Sequence, residues 1–329
     1  MLSSITYRGK IAFANASFSW GDDLDTIFNI VSTYFADFND NGFYAHPDEI
    51  RLRAELSKVA TLAHLIEGLR GLGAHGVVLN HLGLKDLPEE RRNAALYAIT
   101  LMLGYPTSTD QRTGRVAWNV KARPVEAGDR FTTFSERVGS ADMHTDSSFY
   151  PMPEEQFILY VVHAARCGGG QSLIVDGEDI HAALQETEAG RAAFDMLSTT
   201  PVPFQVPAIY AAGDAVEVHL ATVFGPPRRA GARFTMRWRH DSIQKGLAAR
   251  PDLGTPALRA AIDTMHDVVE RGAARFEDHL PDDTLMLIDN HHTLHGRTTY
   301  ADEPRHLIRI RISDVPNAER VGPSGVARD

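Results

Sequence analysis

Residues 284–313, TLMLIDNHHTLHGRTTYADEPRHLIRIRIS, decide the fold. An apolar run ends at Asp289 and Asn290, a turn carries His291 and His292, and His295 follows. A second run, HLIRIRIS, then alternates apolar residues with arginines. Alternation with a period of two marks an extended strand, so Arg305 and Arg309, four residues apart, share one face. The segment reads as two strands joined through a histidine-bearing turn.

Working outward, GRVAWNVKA, FILYVVHAA, QSLIVDG and RFTMRWRH are further short runs rich in β-branched and aromatic residues, bounded by Gly, Pro, Asp or Asn. PALRAAIDTMHDVVERGAARFEDHL interrupts them as one helix. Closer to the N-terminus, HPDEIRLRAELSKVATLAHLIEGLRGLG predicts a single helix, with Leu56, Val59, Ala63 and Ile66 at spacings of three and four. HGVVLNHL predicts a buried strand, and LPEERRNAALYAITLMLGY a second helix opened by Pro88 and its neighbouring acids. Late strands enclosing a helix, after a helical first third, predict an α+β protein with a β-sandwich or jelly-roll core. We expect one domain over residues 1–329: a helical and mixed part at 1–125, a core at 126–313 and a frayed tail at 314–329. Within the core, residues 185–232, with TTPVPFQVP and FGPPRRAGA, predict an insertion lying over the sheets as a lid or a passive loop.

Composition narrows the function classes. At 43% apolar residues the chain can bury a substantial core. Its 33 basic against 43 acidic residues give a net charge of −10, with no Lys/Arg cluster, which argues against nucleic-acid or anionic-membrane partners. The longest apolar run, 157–162, is strand-sized, and MLSSITYRGKIAF lacks the apolar core of a secretory signal. One cysteine, Cys167, excludes an internal disulfide and points to a reducing cytoplasm. Oligomeric state is not encoded in any of these features.

A candidate chemical centre begins at MHTDSSF, where His144 and Asp146 stand two apart. On an extended strand both would face one side, and an imidazole with a carboxylate suits iron(II), manganese or zinc. With 15 histidines in the chain, one His-x-Asp arises readily by chance, so the pair needs a third ligand. His291, His292 and His295 all compete for that place.

Three blocks stand in order along the chain: His144-x-Asp146, then GGGQS, then DNHHTLHGRTTY…RHLIR. Together they resemble the non-haem iron, 2-oxoglutarate-dependent oxygenases of the taurine dioxygenase and clavaminate synthase-like group. The likeness spans about half the chain, and its third block is the most specific. It implies a double-stranded β-helix with flanking helices and a lid-like insertion. It further implies that His144, Asp146 and His295 bind Fe(II) and leave positions open for 2-oxoglutarate and O2. Arg305 matches the arginine that clamps the distal carboxylate of 2-oxoglutarate, where a planar two-donor fork outperforms lysine, and Ser172 matches the hydroxyl supporting it. Arg309 matches the arginine that takes an acidic group of the substrate. The implied reaction is hydroxylation of an unactivated C–H bond in a small carboxylate-bearing molecule, a free amino acid or derivative being the best single choice. Desaturation, cyclisation and sulfonate cleavage are variants of the same chemistry. Asp146 disfavours a halogenase, and His291 departs from the arginine usual after Asp-Asn.

Other residues have two readings each. Asp241, where a substrate-recognising strand would lie, either holds an amine or cation of the substrate or merely ends a strand. Glu136, Ser147 and Ser148 either line the pocket or only neighbour it in sequence. Arg311 either reaches the cavity beside Arg309 or is ion-paired or solvent-facing. His291 and His292, placed in a turn, read as exposed. Cys167 lacks a basic neighbour and reads as a small packed residue rather than a nucleophile. A zinc or manganese hydrolase on a similar fold would need the metal ligands but not Arg305, and a binding module would need neither turnover nor cosubstrate.

Overall fold

The computed structural model describes residues 1–35, 48–107, 116–123, 134–208, 210–211, 215–228, 231–302 and 304–320. The expected boundary at 125/126, Arg229 and Ala230 of FGPPRRAGA, and the end of the tail fall outside them.

Two sheets form the jelly-roll core. The larger runs in the order Leu2–Arg8, Ile11–Ala16, Gly76–Asn80, Leu285–Asp289, Gln156–His163, His306–Ser313 and Tyr105–Thr107, with Trp118–Lys121 also pairing His306–Ser313. Apart from the parallel pairing of Ile11–Ala16 with Gly76–Asn80, its neighbours are antiparallel. The smaller sheet has the order Phe276–Asp278, Ser172–Asp176, Thr293–Arg297 and Ala141–His144. The two face each other at Phe157 and His295, whose rings are 4.5 Å apart.

The central strands of the larger sheet are buried along most of their length because both of their faces are covered. Leu285 and Leu287, Ile158 and Tyr160, and Ile308 and Ile310 pack with the N-terminal helices, whose core residues include Ile27, Leu52, Leu65 and Leu96. The alternate residues Met286, Phe157, Val161 and Leu307 join a second cluster with Met143 and Leu173 of the smaller sheet. On His306–Ser313 this alternation puts Leu307, Arg309 and Arg311 on the inner face.

Local departures from the expected elements have identifiable causes. The single helix expected over 46–73 is two, Glu49–Leu56 and Ala60–Gly71, because Val59 between them is extended (φ −80°, ψ 110°). Asp23 Oδ2 accepts a hydrogen bond from Thr61 N at 2.9 Å, so another helix caps this new N-terminus. The late helix spans Pro256–Asp267, with Thr255 Oγ1 accepting from Leu258 N, and ends in a π-turn, Val268–Gly272. The expected helical end RFEDHL instead supplies Phe276–Asp278, an edge strand on Ser172–Asp176. RFTMRWRH contributes only the two-residue strand Thr235–Met236 before a helix begins at His240.

The described residues of 185–232 include a helix and strands packed on the core, so this part of the insertion is more than a passive loop. Helix Glu188–Thr199 and strands Val202–Gln205 and Val218–Ala221 bring Leu197, Val202, Phe204 and Phe224 into the second cluster. The tail is not frayed as far as Arg320. Asn317 Nδ2 donates to Glu49 Oε1 (2.9 Å) and Pro106 O (2.7 Å), and Arg320 Nη2 donates to Met152 O (2.7 Å). No helix among the described residues is long and apolar enough to cross a membrane.

Candidate metal centre and its cavity

The smaller sheet builds the centre. His144 ends its strand directly opposite His295 in the antiparallel register, so the two imidazoles fall on one face with ring centroids 4.2 Å apart. Asp146 is not on the same extended strand, as its spacing from His144 suggested. The strand stops at His144, and a turn containing Ser147 at φ +57° swings the carboxylate back. Asp146 Oδ1 lies 3.7 Å from His144 Nε2 and 4.0 Å from His295 Nε2. One ligand atom from each residue falls within 4.8 Å of the others, and among the described residues no other group does so.

Neighbouring bonds fix these orientations. His144 Nδ1 bonds to Asp142 O at 2.7 Å, turning Nε2 toward the centre. Asn290 Oδ1 accepts from Asp146 N (2.7 Å), while its Nδ2 donates to Asp146 O (3.0 Å) and Glu154 O (2.8 Å). Burial, reinforced by Arg239, holds the His144 pKa down to about 4, and burial with His144 holds His295 well below its ordinary value. Both rings are therefore neutral, as ligation requires. Burial acts to raise the Asp146 pKa, but Arg309 and Arg311 outweigh it and keep the carboxyl ionised. Two neutral imidazoles and one carboxylate, with no thiolate, suit an iron(II)-type ion.

From this centre a cavity lined by His144, His295, Ser172, Leu307, Arg305 and Arg309 leads inward. Arg305 is buried with its guanidinium 5.0 Å from the Tyr300 ring centre, and its Nη1 has no hydrogen-bond partner. Burial, with Arg297 nearby, pushes its pKa down to about 10, still charged at neutral pH. The GGG turn packs closely beside Arg305: a Cβ on Gly169 would sit 2.1 Å from Thr299 O, and one on Gly170 2.9 Å from Ala165 Cβ. A buried guanidinium donor in this largely apolar cavity fits a carboxylate.

The remaining sequence candidates divide. Arg309 reaches the cavity, and its Nη1 also contacts both oxygens of Asp146, at 3.2 Å and 3.1 Å. Arg311 is buried and ion-paired to the same carboxylate; its place beside Arg309 in the alternation was the available signal. Asp241 lies in the first turn of helix His240–Ala249, not on a strand. There it pairs with Arg239 (3.0 Å) and Lys245 (3.2 Å), which draw its pKa down to about 2 against the effect of burial. It lines a shallow cavity on another side of His144 with Arg239 and Asp142. Glu136 pairs with Arg123 at 2.7 Å, next to Ser135, which does line the inner cavity. Ser148 is buried, its Oγ without a partner and its carbonyl 3.3 Å from Arg237.

His291 and His292 are buried, not exposed. His291 bonds to Pro153 O, and His292 pairs with Asp289 (3.0 Å) and stacks on His75, so neither points to the centre. A cleft lined by Lys10, Arg70, His75, Asp289 and His292 contains none of the three candidate ligands. Cys167 is exposed rather than packed. Sequence reasoning missed Asn290 as an anchor and Ser135 as a lining residue; neither carries a spacing signal.

The family model described as taurine catabolism dioxygenase TauD, TfdA family matches residues 49–311. No curated protein sequence matches. Among solved structures, an asparagine oxygenase in complex with Fe(II), 2S,3S-3-hydroxyasparagine and succinate is 15% identical, with 91% of this chain and 93% of that one covered and a TM-score of 0.65. A non-heme iron oxygenase, OrfP, in complex with Fe and alpha-ketoglutaric acid is 16% identical, covering 96% and 100%, with a TM-score of 0.62. The same oxygenase with Fe, succinate and (3R,4R)-dihydroxy-L-Arg gives 16%, 92% and 94%, and 0.62.

Proposed function

The chain belongs to the TauD, TfdA dioxygenase family and is an iron(II)/2-oxoglutarate-dependent oxygenase, and on that premise we propose that it hydroxylates a free amino acid or a close derivative. The observation that carries the reading is the convergence of His144, Asp146 and His295 beside a cavity that His144 and His295 line together with Arg305, whose buried Nη1 has no hydrogen-bond partner. In this reading the three residues hold the iron, and Arg305 with Ser172 holds the distal carboxylate of 2-oxoglutarate. When bound, iron(II) with 2-oxoglutarate and O2 supplies the oxidising power, converting the cosubstrate to succinate and carbon dioxide as one oxygen atom enters the substrate.

The protein's own work is positioning and exclusion of water. Arg309, between the cavity and Asp146, is placed to take a substrate carboxylate beside the metal ligand. Its Nε, buried and without a partner, is the donor left for it. The solved relatives that hold hydroxyasparagine and hydroxylated arginine support an amino acid as substrate. We read residues 1–329 as one oxygenase domain, and the single cysteine fits a cytoplasmic setting.

The test is anaerobic. Metal-free protein receives iron(II) and then 2-oxoglutarate, and the visible charge-transfer band of a chelated keto acid is recorded. We expect a band in the wild type, none in His295→Ala, and one requiring at least about tenfold more 2-oxoglutarate in Arg305→Ala, since charge-assisted hydrogen bonds are worth about 1.5–3 kcal/mol. Candidate amino acids that bind should perturb the band. Wild-type behaviour in His295→Ala would refute the ligand assignment.

A further inference from the structure

The two carboxylate oxygens of Asp146 are not equivalent. Oδ1 faces the imidazoles, at 3.7 Å from His144 Nε2 and 4.0 Å from His295 Nε2. Oδ2 carries the contact from Arg311 Nε, at 3.0 Å. We propose that Arg311 is a positioning residue: by holding Oδ2 it makes Asp146 present a single oxygen, Oδ1, to the metal, and so keeps free a position that a two-oxygen carboxylate would close. The inference rests on the reading of His144, Asp146 and His295 as ligands.

Arg309 cannot perform this task alone. Its Nη1 straddles both oxygens, at 3.2 Å and 3.1 Å, and so does not select one of them. It also lines the cavity, where an incoming substrate carboxylate competes for it. Arg311 is two residues further along the same strand, on the same face, and is 3% exposed. Buried Glu154 supplies a second negative charge to it and is itself held by Arg320 (3.2 Å) and Thr107 Oγ1 (3.1 Å). The Arg311–Asp146 pair is buried on both sides, so the guanidinium cannot swing away without leaving charges unpaired, and its grip on Oδ2 is set before any ligand arrives. Meanwhile, Asn290 holds the Asp146 backbone on both sides, at 2.7 Å and 3.0 Å, leaving rotation of the carboxylate as the freedom that Arg311 removes.

Charge and grip can be separated by substitution. Arg311→Met removes both. Arg311→Gln removes the charge but places an amide nitrogen the same number of bonds from Cβ as the arginine Nε. Each full-length variant is loaded anaerobically with iron(II) and titrated with 2-oxoglutarate. Binding is read by calorimetry and the charge-transfer band by absorption at saturation, alongside thermal melts of the metal-free proteins. We expect Arg311→Met to bind iron no more weakly than wild type, because a neighbouring cation is gone. It should bind 2-oxoglutarate about tenfold more weakly and fall short of the wild-type band even at saturation. Arg311→Gln should recover the band. A countercharge alone would alter affinity and leave the saturated band intact, so full amplitude in Arg311→Met overturns the proposal. If Arg311→Met does not fold, Arg311→Gln decides: wild-type amplitude supports the grip and reduced amplitude refutes it. Iron binding and a full band in His295→Ala would instead remove the ligand reading on which the proposal stands.

Discussion

Replacing Asn290 with alanine should unfasten the metal centre without touching a ligand. Asn290 is buried at 1% exposure and makes three hydrogen bonds, one from Asp146 N and two to the carbonyls of Asp146 and Glu154. It follows Asp289 in the turn that leads to His295, so one side chain ties the loop of the first two candidate ligands to the loop of the third. At about 1 kcal/mol net for each of the three bonds, plus about 1–3 kcal/mol for leaving the buried Asp146 N–H unsatisfied, the substitution should lower stability by about 4–6 kcal/mol. Metal affinity should fall about 10–100-fold, because the carboxylate loses its backbone anchor. Urea unfolding of the metal-free protein measures the first effect and competitive titration with a chromophoric chelator the second. Asn290→Asp, which keeps the acceptor for Asp146 N but loses both donors, should recover part of the stability. A stability loss of that size with wild-type metal affinity would refute the claim that Asn290 positions Asp146 and reduce it to a packing residue.

Two further perturbations test the surrounding fold. Burial raises the pKa of Glu49 from 4.5 to about 7, with Asn317 Nδ2 bonded to its Oε1. The folded state thus keeps a proton that the unfolded state releases, and stability should fall as pH rises from the unfolded to the folded value, by up to about 3 kcal/mol, then level off. Glu49→Gln, which retains the acceptor for Asn317, should flatten that slope in chemical melts at stepped pH; an unchanged slope would rule Glu49 out as its source. Gly169→Ala puts a Cβ 2.1 Å from Thr299 O, a rigid backbone atom, so it should cost about 1–3 kcal/mol in urea melts and displace the turn beside Arg305. An alanine variant as stable as wild type would mean that the turn can shift.

What could be read from the chain follows from how local each signal is. His144-x-Asp146 and the 295–309 block lie close in sequence to the elements that carry them; Arg305 precedes the strand His306–Ser313 rather than lying on it, yet it lines the same cavity as Arg309. Arg311 follows Arg309 in the alternation of that strand, but its partner Asp146 is 165 positions away, and no local pattern reports so distant an ion pair. Asp241 misled because RFTMRWRH has strand composition. The helix at His240 instead places the carboxylate in its first turn, where the helix dipole favours it and Lys245 falls one turn on. The break at Val59 was hidden for a related reason: apolar spacing continues through it, and the cap that starts the second helix comes from Asp23, 38 residues earlier. Ser313 read as the end of the ordered chain because nothing in the following polar residues announces that Asn317 and Arg320 bond to distant elements.

The charges of the inner cavity carry one more consequence. Arg305, Arg309 and Arg311 are all buried, yet Asp146 is the carboxylate ion-paired to Arg309 and Arg311, and among the described residues Arg305 has no carboxylate within ion-pair distance. A buried guanidinium without a counter-ion is costly, so the folded protein stores an electrostatic demand that an anion can meet before any metal is bound. Metal-free protein should therefore be stabilised by 2-oxoglutarate alone. At a concentration one hundred times the dissociation constant the gain is about 2.7 kcal/mol, enough to raise the melting temperature by a few degrees. Arg305→Met should abolish that shift, whereas Arg309→Met should retain it, because Arg309 already has Asp146 as its counter-ion. Differential scanning fluorimetry in the presence of a chelator distinguishes these results. A wild-type shift that appears only with metal would show that Arg305 does not recognise the cosubstrate by itself. A shift that survives in Arg305→Met would place the anion elsewhere.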